Sequence, residues 1–300
     1  MAIKAIGLLL LLAAPQGTGT PVAALADGVS VGAPITKGNI SVFPLSVRPS
    51  AGAAGAEPLT LDEASRAKVL AVEEAGAGGD VNALQVRNDG DRPVLLMAGE
   101  LLLGGKQDRI VGRSLVLAPR SRQPVPVFCV EHGRWSGGRA FESGGALVHP
   151  GLRKTALAGD QQKVWDEVAR SNRKLGTETS SGTYRAAARK LSGEAGPVAR
   201  ELSEALARAP AAAGLAVAID GEVVAVEWFA SPKLFARVRE KLVASYVAQA
   251  LADDAPRPSS APAPAAPKDV LDFARKAEQG AATVERATSA GAAVQTTYLK

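Results

Sequence analysis

The hydrophobic period of this chain changes once, near residue 150, and that change restricts the fold more than any other feature. Before it, apolar residues come in short extended runs broken by turn-forming clusters. After it, they recur at three- and four-residue spacing over helix-length stretches. In the first half, Leu84-Gln85-Val86-Arg87 alternates by two, Asn88-Asp89-Gly90-Asp91 turns, and Pro93 opens Val94-Leu95-Leu96-Met97. A second pair runs from Arg109 to Leu117 and from Val125 to Val130, around Ala118-Pro119-Arg120-Ser121. This rhythm predicts a sandwich or a small barrel. Earlier, Ile40-Ser41-Val42-Phe43 is an extended run stopped by Pro44, and Thr60 with Glu63 has the form of a capping box.

Beyond residue 150, Asp160 caps a helix that places Val164, Trp165 and Val168 on one face, and further helices are expected over 184–192 and 197–208. Leu215 to Ile219, the Asp220-Gly221 turn and Val223 to Phe229 make a hairpin. Ser231-Pro232 starts a helix with the buried stripe Leu234, Phe235, Val238, Leu242, Tyr246 and Val247. The expected fold is therefore α+β: a β-rich, sandwich- or barrel-like N-terminal half followed by helices and a β-hairpin packed on it.

The ends of the chain read differently from its middle. Lys4, the apolar run Ala5 to Ala14 and the small-residue site Ala24-Leu25-Ala26 have the form of a signal peptide cut after Ala26, which implies a secreted or periplasmic protein. Residues 27–252 then form one α+β domain. Residues 253–268, with five prolines, read as a Pro/Ala-rich linker, and 269–300 as a C-terminal helix and an extended tail returning to the sheet. No later stretch is long and apolar enough to span a membrane, so no transmembrane segment is expected after cleavage.

An apolar fraction of 46% and a charged fraction of 22% suit a globular domain. The formal charge of +5 falls by one when Lys4 leaves with the signal peptide. The densest basic cluster, Arg185-Arg189-Lys190, has no interleaved aromatics and reads as a solvated helix face, so no nucleic-acid partner is expected. One cysteine allows no intrachain disulfide, and with only two histidines it cannot build a thiolate cage. No metal and no cofactor are expected.

Polar chemistry concentrates in two stretches. One runs from Gly99-Glu100 to Gly104-Gly105-Lys106-Gln107-Asp108-Arg109; the other is Cys129-Val130-Glu131-His132-Gly133-Arg134-Trp135. If they meet side by side, Arg134 can pair with Glu131, Glu100 or Asp108. An arginine fork suits a carboxylate or phosphate, and an indole suits a ring or a cation. The candidate ligand-binding residues are Glu100, Lys106, Gln107, Asp108, Arg109, Arg134 and Trp135. Gly104-Gly105-Lys106 also has a loose likeness to a phosphate-binding turn, with a plain hairpin turn as the competing reading. Cys129 and Glu131 are the candidates for catalysis. Strand alternation puts both on one face, with Val130 and His132 on the other. A buried, inert cysteine competes with the nucleophile.

These motifs, together with Val164-Trp165-Asp166-Glu167, resemble over about residues 31–252 a bacterial family of unestablished activity. That family is named for its association with ADP-ribosylglycohydrolases and the rhodanese/phosphatase superfamily. The resemblance implies a link to NAD or ADP-ribose chemistry by association, and it places Glu100, Gln107, Arg109, Cys129, Glu131, Arg134 and Trp135 at the family's motif positions. Three readings stand. The first is an exported binding or accessory domain with a polar Arg/Glu/Trp cleft for a small anionic ligand or an acidic partner segment. The second is a hydrolase of nucleotide- or ADP-ribose-like substrates using Cys129 or Glu131. The third is a structural domain in which both motifs form one buried network.

Overall fold

The computed structural model describes residues 28–47, 56–76, 78–209, 211–252 and 264–300. The expected signal peptide (residues 1–26) and most of the expected Pro/Ala-rich linker (253–268) lie outside these residues. The N-terminal half, whose first strands join a second sheet, contains a closed barrel, one of the two architectures the alternating runs predicted. Its strands are β5 (Leu70–Glu74), β6 (Ala83–Asn88), β8 (Glu100–Gly104), β9 (Arg109–Val111), β11 (Ser121–Cys129) and β12 (Ala140–Leu147), closed in the order β11-β6-β5-β12-β8-β9. Alternation sends Val72, Leu84, Val86, Leu102, Val111, Val125, Val127 and Phe141 into one buried core. On β11 the prolines Pro124 and Pro126 face solvent between buried Val125 and Val127. A small sheet of β4 (Leu59–Thr60), β7 (Val94–Leu96) and β10 (Leu115–Leu117), with helix α1 (Leu61–Arg66), packs onto the same core. The Thr60–Glu63 capping box that starts α1 is present in both directions.

The strands on either side of the Asn88–Asp91 turn, β6 and β7, are not hairpin partners. β6 pairs with β5 and β11, while β7 pairs with β10 and β4. The turn between β6 and β7 is instead held by buried Asn88, whose amide donates to the Arg92 and Ala118 carbonyls and whose oxygen accepts the Gly90 N–H.

The second half centres on a seven-stranded sheet ordered β1 (Val29–Val31), β3 (Ile40–Val47), β13 (Ala212–Ile219), β14 (Glu222–Phe229), β16 (Ala292–Leu299) and β15 (Thr283–Ser289), with β2 (Ile35–Lys37) also on β3. The β13–β14 hairpin turns through Asp220 and Gly221, both at positive φ, as its sequence predicts. One face of the sheet packs Ile40, Val42, Leu215 and Val217 against helices; the other packs Phe43, Leu45, Ala216 and Ala218 under helix α6 (Pro267–Lys276). Residues expected as an extended tail form the β15–β16 hairpin, which returns to β14. Strand β3 does not stop at Pro44. The Pro44 carbonyl accepts the Gly32 N–H on the β1 side, so its nitrogen faces the gap between β2 and β1, where no ladder bond is lost.

The helices on the inner face are α2 (Pro150–Leu157), α3 (Gln161–Leu175), α4 (Arg185–Ala207) and α5 (Pro232–Ala252). Asp160 caps α3 as expected, and the whole predicted stripe of α5 is buried. Trp165 is only half-buried, its indole in a T-shaped contact with the His132 ring. The two helices expected over 184–192 and 197–208 are one. The stripe Ala187, Leu191, Ala195, Ala199, Leu202 and Leu206 runs unbroken across Pro197, and its burial offsets the roughly 3 kcal/mol cost of an interior proline. Arg153 on α2 is wholly buried and bonds Glu227 on β14 through both terminal nitrogens, at 2.7 and 2.8 Å. A second tie, from the Ser114 N–H to Glu285 at 2.7 Å, joins the barrel half to β15.

Candidate functional site

The β8–β9 loop and the segment after β11 do meet, at one end of the barrel. Val130 N–H donates to the Asp108 carbonyl at 3.0 Å, and Asp108 N–H returns to Glu131 Oε2 at 3.1 Å. Arg134 is committed in full to this junction. Nε and Nη2 donate to Glu131 at 2.9 and 2.6 Å, Nη1 to the Gly105 and Ser136 carbonyls at 2.8 and 2.7 Å, and Nη2 also to the Gly104 carbonyl at 3.3 Å. An arginine has five N–H donors, and here all five are used within the protein. Arg134 is a clamp on the loops, not a fork held out to a ligand.

Asp108 is equally occupied. Arg185, at the start of α4, brackets its carboxylate from Nη2 at 2.7 Å and Nε at 3.0 Å, Thr183 donates at 3.0 Å, and the Gly104 N–H caps Oδ1 at 3.0 Å. Arg185 was expected on a solvated face; the fold recruits it instead as the outer half of this buried pair. The Asp108 carboxylate in turn holds the Arg185 guanidinium above its ordinary pKa. Burial pushes the Glu131 carboxyl up, but the Arg134 bonds and the Asp108 N–H outweigh it and hold the group below its usual range. Around these groups lies a recess of about 490 Å³, lined by Gly104, Gly105, Gly137, Gly138, Thr183 and Arg185 among others.

The phosphate-turn reading loses its donors. Gly104 N–H goes to Asp108, Gly105 N–H to the Ala140 carbonyl at 3.0 Å, and Lys106 N–H to Glu74 at 2.8 Å. Gly105 is required for a different reason: a Cβ there would fall 2.0 Å from the Phe141 ring.

Arg109 differs from the other two arginines. It is in phase with Val111 on β9, faces the barrel interior opposite Cys129, and is 0% exposed. Nη1 donates to the Gln107 carbonyl at 2.9 Å and to its side-chain oxygen at 3.4 Å. Among the described residues, Nε and Nη2 have no partner. The Trp135 ring covers the guanidinium at 5.7 Å, is itself 46% exposed, and also meets Lys106 Nζ at 5.3 Å. Gln107 spans the two motifs by donating to the His132 carbonyl at 3.3 Å.

Two of the sequence candidates sit elsewhere or are sealed. Glu100 faces away from this cluster; it bonds the Met97 N–H at 2.9 Å and pairs with Lys241 of α5, which also holds Asp62 at 2.7 Å. Cys129 shares the barrel interior, and burial pushes its thiol up to about 11. Its backbone is gripped at both ends by the Gln161 amide, at 2.8 and 2.9 Å. β11 ends at Cys129, and a bend at Val130 separates it from Glu131. Sequence reasoning missed Glu74, Thr183 and Arg185. Only Glu74 left a signal, as an acid in phase with inward-facing Val72. No group of three or more metal-ligating side chains occurs among the described residues.

A closed barrel fused to a helix-backed sheet, with a polar mouth tied by arginine–carboxylate pairs, defines an α+β domain. The chain belongs to the ARPP-1 family, the ARG and Rhodanese-Phosphatase-superfamily-associated Protein domain, whose family model matches residues 28–298. The match runs through residues 253–268 and takes in most of the β15–β16 hairpin. Comparison with curated proteins gives no match, and comparison with solved structures gives none either.

Proposed function

We propose that this domain is an exported binding or accessory module whose barrel mouth takes a small anionic ligand. The observation that carries the reading is Arg109: a fully buried guanidinium with two unmatched nitrogens, under a half-exposed indole. A buried cation lacking acceptors costs several kcal/mol unless something completes it, and an anionic group that lifts Trp135 would do so. Asp108, Glu131, Arg134 and Arg185 then serve to shape the mouth. The depth of Arg109 favours a small molecule over an acidic protein segment.

Catalysis by Cys129 or Glu131 gains no support. A thiol at about 11 in a sealed interior is protonated at neutral pH, and a carboxylate saturated by Arg134 has little basicity to offer. The family's name is consistent with an accessory role beside the enzymes it records. Export rests on the form of residues 1–26, and N-terminal sequencing of the processed protein checks it: a mature chain beginning at Asp27 is expected.

The binding test is a thermal-shift screen of the purified chain against inorganic anions, small carboxylates, sugar phosphates, nucleotides and ADP-ribose. A specific anion at a hundredfold over its Kd adds about 2.7 kcal/mol of stability. Arg109→Met should keep or raise the melting temperature without ligand, because an incompletely paired buried charge is removed, and should erase the ligand's effect. A screen with no response, or an Arg109→Met chain that unfolds, refutes the proposal.

A further inference from the structure

The barrel interior holds a second group in the same condition as Arg109. Glu74 is the last residue of β5, two positions after inward-facing Val72, and is 1% exposed. Its Oε1 accepts the Lys106 N–H, but Oε2 has no partner among the described residues. Oε2 lies against the glycine-rich loop before β6, where a Cβ on Gly79 would come within 3.0 Å of it. Glu74 bonds the Lys106 N–H and Arg109 the carbonyl of the next residue, Gln107, so both side chains lie at the same end of the barrel. Yet no ion pair joins them, and each keeps unmatched polar atoms.

Two opposite charges buried together normally close on each other, since a lone buried ion is far costlier than a pair. Here the fold holds them apart. Glu74 is anchored by Lys106 from the β8–β9 loop, and Arg109 by Gln107 from that same loop. A native buried polar atom without a partner calls for a missing one, and these atoms call for two of opposite kind. The Phe141 ring, 6.0 Å from the Arg109 guanidinium, and the Trp135 ring supply apolar walls.

Building on the anion-binding reading above, we propose that Glu74 and Arg109 are the two poles of a site for a small zwitterion of the α-amino-acid class. The ligand's carboxylate meets Arg109 Nε and Nη2, its ammonium meets Glu74 Oε2, and Trp135 is the roof it passes. A simple anion satisfies only one pole. A zwitterion satisfies both and leaves the interior electrically balanced.

The test uses the full chain and the twenty free α-amino acids, screened singly by thermal shift. Each hit is compared with its N-acetyl derivative, which keeps only the anion, and its carboxamide, which keeps only the cation. At least one amino acid should bind, with both derivatives weaker by roughly tenfold or more, the value of a charged hydrogen bond. Glu74→Gln retains an oxygen for the Lys106 N–H. It should fold by circular dichroism and bind the amino acid and its N-acetyl form alike. Equal binding of the N-acetyl form to the unaltered chain refutes the second pole while leaving anion binding intact. Response to other anions but to no amino acid does the same. Silence toward amino acids and anions together, which leaves water as the only bridge between the two groups, sinks both readings.

Discussion

Arg134→Ala separates the clamp described here from a ligand-contacting arginine, and its cost can be worked from the contacts. The substitution removes two charged hydrogen bonds from Glu131 and frees the Gly104, Gly105 and Ser136 carbonyls. Glu131, with 6% of its side chain exposed, would keep the Asp108 N–H but lose its counter-ion. Stripping one partner from a buried pair costs about 3–5 kcal/mol. The Arg134 side chain is 27% exposed, so water can enter the vacated space and the lower end applies, about 3 kcal/mol. For a domain of this size that lowers the melting temperature by roughly 6–12 °C.

The pH dependence is fixed in sign. Glu131 titrates below its ordinary value of 4.5 in the folded protein, so its stabilisation is complete above that value and disappears as pH falls through the depressed one. The gap between the unaltered chain and Arg134→Ala should therefore be widest near neutrality and close on acidification. Urea unfolding followed by circular dichroism from pH 7 to about pH 3 measures it. A loss under about 1 kcal/mol at neutral pH, or a gap that does not change with pH, refutes the clamp.

Other outcomes follow from the same contacts. Cys129 should resist iodoacetamide in the native protein at pH 8 and react only on unfolding, because the thiol is sealed and titrates near 11; stoichiometric labelling of native protein, read by mass spectrometry, would contradict this. Arg153→Met should cost about 3–5 kcal/mol by stranding Glu227, which Tyr246 and Thr297 also bond, whereas Arg153→Met with Glu227→Leu should recover much of that loss. Denaturant unfolding of the two variants tests the pair, and additive losses would show that it is not the unit proposed.

The polar mouth was partly legible because motif residues that are close in sequence stay close in space. Asp108 lies one residue and Glu131 two residues beyond the paired positions Arg109 and Cys129, so the strand register that joins β9 to β11 also brings them together. Glu100 was misplaced for the opposite reason. It begins β8 and Gly104 ends it, and a strand of that length separates its two ends by more than ten ångströms. Glu74 and Arg185 entered the site from elements 30 to 80 residues distant, which no local pattern announces.

By itself, the amino-acid order determined the features that depend on a few neighbouring residues: the Thr60–Glu63 box, the Asp160 cap, the positive-φ Asp220-Gly221 turn, the stripe on α5, and the shift from strands to helices near residue 150. Only the tertiary structure decided which strands pair within the barrel, that one helix runs through Pro197, and which arginine is fully committed. Those outcomes depend on long-range burial and on which donors meet acceptors. An isolated peptide cannot distinguish Arg134, with five N–H donors used, from Arg109, with two nitrogens unmatched inside the barrel.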